Sequence, residues 1–156
     1  MAPASTSPTE DAAIGASTFE EAAADELRKR LLRQPEVLFA LLFGSRATGR
    51  PHPGSDWDVA VYLDEELSPR QRFRHRLQLI GELDDLGEID LVVLNEAPAL
   101  LGHRALLGQL LFARDRIAYV RYFVRTLSRS EDERYYRERD HRERLRRLEE
   151  GRFGRP

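Results

Sequence analysis

The chain of 156 residues contains no cysteine, a single methionine and a single tryptophan, and neither sign of charge dominates, with 25 Lys and Arg against 27 Asp and Glu. Without cysteine there can be no disulfide framework and no thiolate metal site, and the four histidines (His52, His75, His103, His141) have no ligand-like spacing. Long apolar runs are missing as well. The longest, Val37 to Phe43, falls far below the roughly 18 residues that a membrane span requires. The amino terminus has neither the basic nor the apolar region of a secretory signal, so the expected compartment is the cytoplasm. A formal net charge of -2 argues against indiscriminate nucleic-acid binding. The charge is uneven, however: from Arg121 to Pro156 twelve arginines face eight acids.

What is present fits one domain, because a chain of about 150 residues buries roughly two-thirds of its unfolded surface. Residues 1–17 are rich in Ala, Ser, Thr and Pro and read as a disordered leader. Thr18 with Glu21 forms a capping-box pattern opening a helix that turns Phe19, Ala23, Leu27 and Leu31 to one side. Glu36 to Phe43 reads as a strand buried on both faces, and Asp56 to Leu63 as a second, separated by a connection rich in Gly and Pro. Ser68-Pro69-Arg70-Gln71 caps a helix in which Phe73, Leu77, Ile80 and Leu83 recur at helical spacing. Gly87 ends it, and Glu88 to Leu94 is the third strand. A short helix over Pro98 to Leu107, an edge strand over Gln109 to Ala113 and a helix with Ile117, Val120, Val124 and Leu127 on one side follow. That last helix is expected to break near Ser128, before a solvated or partner-facing helix carrying Tyr135 and Tyr136. The alternation predicts an α/β (α+β) fold with a small sheet of three or four strands flanked by helices.

Three aspartates lie on predicted strands. Asp56 and Asp58, two apart on one strand, point to the same side about 6 to 7 Å apart. At an effective dielectric near 20 their charges repel by roughly 2 to 3 kcal/mol, which a divalent cation would relieve. Asp90 interrupts the apolar third strand, where burial of a carboxylate demands a charge partner. Hard oxygens without nearby His or Cys favour Mg²⁺ or Mn²⁺, and three carboxylates on a small sheet suit a two-metal site for phosphoryl or nucleotidyl transfer. Gly44 and Ser45 close the first strand, where a bare Cα lets a phosphate approach the backbone and the hydroxyl adds a donor. Arg46 either binds phosphate or caps the loop. Trp57, between the two aspartates, must point to the opposite face, into the core.

Gly-Ser, ten residues, Asp-x-Asp and a distant strand Asp together resemble the nucleotidyltransferase superfamily that includes DNA polymerase β. Phe43-Gly44-Ser45-Arg46-Ala47-Thr48-Gly49 followed by Ser55-Asp56-Trp57-Asp58-Val59 is similar to its minimal nucleotidyltransferase branch, over about residues 18–120. An Arg-rich helical extension over residues 121–156, ending Gly151-Arg152-Phe153-Gly154, also looks like that branch. The resemblance implies a polymerase-β-like nucleotidyltransferase fold in which Gly44 and Ser45 hold the triphosphate of ATP, Asp56 and Asp58 bind two Mg²⁺ ions, and Asp90 completes the site. It further implies an antitoxin that transfers AMP to a tyrosine of a cognate HEPN-domain ribonuclease toxin. A chain this small has little room for an acceptor pocket of its own, so the acceptor is expected on another protein, with the long C-terminal helices as the place for it to dock. Two alternatives remain at this level, an antitoxin that acts by binding alone and a nucleotidyltransferase for a small molecule. Neither a membrane nor sequence-specific nucleic acid is an expected partner.

Overall fold

A computed structural model describes residues 21–47 and 55–131. The leader, Thr18, Phe19, His52, the Tyr135–Tyr136 helix and the Gly151–Gly154 segment lie outside the described residues. Helix α1 occupies 21–32; Val37–Phe43 forms β1, Gly44–Ala47 the one-turn helix α2, and Trp57–Leu63 β2. Helix α3 spans Pro69–Leu83 and passes through a 3₁₀ turn, Asp84–Leu86, into β3, Ile89–Val93. Ala99–Leu106 is α4, Gln109–Ala113 is β4, and α5 runs over 116–131.

The sheet has the order β3-β2-β1-β4. β1 is antiparallel to both β2 and β4, and β2 is parallel to β3, so the sheet is mixed. The two central strands are those with continuous apolar runs, as burial on both faces requires. Strand alternation sorts their side chains into two cores. Val37, Leu42, Val59, Val61 and Leu63 pack with Leu27 and Leu31 of α1 and Leu79 and Leu83 of α3. Phe39, Leu41, Phe43, Ala60 and Tyr62 pack on the other face with Ala105 of α4 and Tyr122 of α5. Helices therefore cover both faces.

Local signals held where they were chemical. Ser68 Oγ accepts from the Gln71 backbone N–H while Gln71 Oε1 accepts from the Ser68 N–H, closing the expected capping box ahead of Pro69. The side chains chosen for the core differ on two helices. Of the four expected on α3, Phe73 and Leu77 are exposed, whereas Leu83 is buried and Ile80 packs partly buried against the core, with Leu79 buried beside them. Arg72 and Arg76 turn inward with them, Arg76 Nε donating at 2.9 Å to the outward carbonyl of Leu91 on edge strand β3. On α5 the apolar stripe Ile117, Val120 and Val124 is exposed, and Ala118, Tyr122 and Thr126 are buried in its place. Here a close approach decides: a Cβ on Gly102 of α4 would stand 2.3 Å from the Tyr122 hydroxyl, so the Tyr122 side fits against α4. Nor does α5 break at Ser128. The helix continues to 131 with the Ser128 and Ser130 hydroxyls donating back to the carbonyls of Val124 and Leu127.

Candidate nucleotidyl-transfer site

The C-terminal end of β1, the N-terminal ends of β2 and β3 and the last turn of α4 meet at one end of the sheet. The parallel register sets Asp58 directly beside Asp90, and the antiparallel register on the other side sets it opposite Phe43, next to the Gly44 turn. All three positions belong to the sheet face covered by α4 and α5, because Asp58 alternates with Trp57 and shares its side with Ala60 and Tyr62. Trp57 is buried in the opposite core, as expected. Asp56 precedes the first residue of β2 rather than lying within it, and it is exposed at the strand mouth.

Asp90 differs from expectation. It is exposed rather than buried, because β3 is an edge strand that solvent reaches. Asp58 is the partly buried member of the group. Burial pushes its carboxyl above the usual range, the charges of Asp90 and Asp56 push it further, and Arg104 pulls it back. Asp58 thus lies in the field of both other aspartates.

Gly44 explains why the chain carries a bare backbone here. Its φ is 72°, in the left-handed region, and a Cβ built on it would stand 1.9 Å from Asp58 Oδ2. The Asp58 carboxylate occupies the volume a side chain would need. The turn leads directly into α2, which holds Ser45 and Arg46, so a helical turn stands where the sequence predicted only loop. Arg46 reaches back over the connection: its Nε and one terminal nitrogen donate to the Ser55 carbonyl at 2.9 and 2.6 Å, and its guanidinium lies 4.3 Å from the Trp57 ring centroid. Arg46 thus ties α2 to the residue that leads into Asp56. Arg104, in the last turn of α4, went unnoticed in the sequence because a lone arginine near a helix end has no signature of its own. The nearest signal is Gly108, where a Cβ would stand 2.2 Å from the Leu42 carbonyl, so the segment after α4 lies against the end of β1.

Carboxylate oxygens that repel one another, with no histidine or cysteine among them, are the donor set of a hard divalent cation. The expected cage is not closed: among the described residues no group of three or more His, Cys, Asp or Glu stands close enough to hold a metal ion. In donor chemistry the residues fit Mg²⁺, with two of the three carboxylates on exposed positions from which they can turn toward an ion. Among the described residues no helix is long and apolar enough to cross a membrane.

The sequence model of the polymerase beta nucleotidyltransferase family matches residues 25–117. The protein adenylyltransferase MntA of Aphanizomenon flos-aquae (strain 2012/KM1/D3) is 38% identical over 87 residues, covering 50% of this chain and 58% of the relative, so the chain spans little more than half of that relative's length. A crystal structure of a toxin-antitoxin with AMP-PNP superposes with a TM-score of 0.60 at 25% identity, over 78% of this chain and 98% of the other. The MNT antitoxin complex with a tri-AMPylated Shewanella oneidensis HEPN toxin gives 0.57 at 22% identity, over 81% and 98%, a likeness of fold. The family match extends over more than half of the chain and takes in the Gly44 turn, Asp56, Asp58 and Asp90, and the protein accordingly belongs to the polymerase beta nucleotidyltransferase family.

Proposed function

We propose that the protein is an adenylyltransferase antitoxin, transferring AMP from ATP to a tyrosine hydroxyl of a HEPN-domain toxin and acting in the cytoplasm, where the ATP pool lies. The observation that carries this reading is the register of Asp58 beside Asp90, one residue from the bare Gly44 turn. Kinship with MntA supplies the nucleotide and the class of acceptor. Gly44 and Ser45 hold the triphosphate, the left-handed glycine letting the Asp58 carboxylate pack directly against the turn that grips it. Arg46 serves nucleotide binding by clamping Ser55, which fixes the approach of Asp56 to the turn. Asp56, Asp58 and Asp90 hold Mg²⁺, which when bound offsets the charge that builds up on the phosphates. Asp90, exposed and beside Asp58, takes the proton of the acceptor hydroxyl as its oxygen attacks the α-phosphorus in line, the bond from that phosphorus to the α,β-bridging oxygen breaks, and pyrophosphate leaves.

The test is to co-purify the chain with the product of its neighbouring gene and incubate the pair with α-labelled ATP and Mg²⁺. Label is expected on a partner tyrosine, lost on EDTA treatment and in Asp58→Asn. Neutralisation of the partner by Asp58→Asn without any label would overturn the catalytic reading in favour of binding alone.

A further inference from the structure

Helix α5 carries apolar residues on two opposite sides. Ala118, Tyr122 and Thr126 are buried against the sheet and α4. On the far side Ile117, Val120 and Val124, at three- and four-residue spacing, are 71%, 52% and 58% exposed. Among the described residues they line a shallow groove of about 740 Å³ together with Arg116, Arg121 and Arg125. At 100° per residue, Arg116 borders one side of the apolar stripe and Arg121 and Arg125 border the other. A stripe of exposed β-branched residues with a cationic rim is a surface made for contact.

The rim chooses the occupant. A second copy of this chain laid on the stripe would set arginines against arginines, with no acid among the described residues of the groove to separate them. Nucleic acid would meet the cations, but aliphatic Ile and Val offer no ring on which a base could stack. A protein helix with an apolar stripe bordered by Asp and Glu satisfies both features. The location agrees as well. Helix α5 lies on the sheet face that carries Asp58 and Asp90, and an Arg125 terminal nitrogen donates at 3.3 Å to the Tyr62 hydroxyl of β2, the strand that carries Asp58.

We infer that the Ile117-Val120-Val124 stripe with its arginine rim is the surface on which the acceptor protein docks, through an amphipathic helix flanked by carboxylates. This deepens the proposed function and rests on its acceptor being a protein. The test uses the full chain with two surface double variants, Val120→Asp/Val124→Asp and Arg116→Glu/Arg121→Glu. For each, the Kd for the acceptor protein that the wild type labels, the KM and kcat of transfer, and MgATP binding by the free chain are measured. Expected are a rise of about 10- to 100-fold in Kd and in KM, with kcat at saturating acceptor and MgATP binding unchanged. The wild-type complex should weaken with added salt more steeply than that of the arginine variant. Acceptor Kd within twofold of wild type in both variants would overturn the inference alone, as would wild-type self-association abolished by the valine variant, which would assign the stripe to a second copy. Failure of the wild type to label any protein would instead defeat the proposed function, and this inference with it.

Discussion

Gly44→Ala isolates the central claim about the site, because the structure gives two separate reasons for glycine at that position. With φ at 72°, an alanine pays the left-handed penalty of about 1 to 2 kcal/mol. Its methyl would also need the space of the Asp58 carboxylate, 1.9 Å from Oδ2, so the carboxylate must swing away. The first effect alone lowers the melting temperature by about 3 to 8 °C for a chain of this size. The second removes the central carboxylate from its place and should lower the transfer rate by about a hundredfold or more, several kcal/mol of lost charge stabilisation. Gly81→Ala is the control. Nothing lies within 4 Å of a Cβ there, the residue is exposed within α3, and the substitution should stabilise by about 0.5 to 1 kcal/mol with activity unchanged. Urea unfolding and a labelled-ATP transfer assay read both variants. A Gly44→Ala protein as stable and as active as wild type would refute the packing of Asp58 against the turn as the basis of the site.

Asp58→Asn should abolish transfer yet raise the urea midpoint of the metal-free protein at neutral pH. The raised folded pKa of Asp58 favours the folded state below the unfolded pKa, and that contribution is lost as pH rises through the folded pKa; an unchanged stability-pH curve in the variant would count against the shared carboxylate field. Asp85, which Arg30 holds below the usual carboxylate range, has the opposite sign, so its contribution is present above the unfolded pKa and fades as acid protonates it; Asp85→Asn should flatten the acid limb of a denaturation series. Arg76→Met removes the donor to the Leu91 carbonyl and should cost about 1 kcal/mol, with amide exchange accelerating in β3; exchange at the wild-type rate would show that this contact does not secure the strand beneath Asp90. Gly108→Ala drives a Cβ to 2.2 Å from the Leu42 carbonyl, and a loss of more than about 2 kcal/mol is expected in the same urea assay, since backbone cannot step aside as a side chain can.

Local chemistry determined by sequence alone reached surprisingly far along this chain without knowledge of any contact. The strand cores, the capping box at Ser68, the edge strand Gln109–Ala113, and the Gly44-Ser45 and Asp56-x-Asp58 motifs, each taken singly, depend on neighbours within a few residues or on fixed spacing, which is where periodicity and turn chemistry act. Tertiary structure decided which side of an amphipathic helix is inside. Phe73 and Leu77 of α3 and Ile117, Val120 and Val124 of α5 point to solvent because Arg76 can satisfy an edge carbonyl and Tyr122 can close on Gly102, arrangements between segments many residues apart. It also decided that Asp90 is an exposed carboxylate on an edge strand beside Asp58, and that Arg46 clamps a loop with Arg104 near the acids. Sheet order and register depend on long-range packing, and a one-dimensional pattern carries the side-chain alternation of a strand but not the neighbour that strand will find.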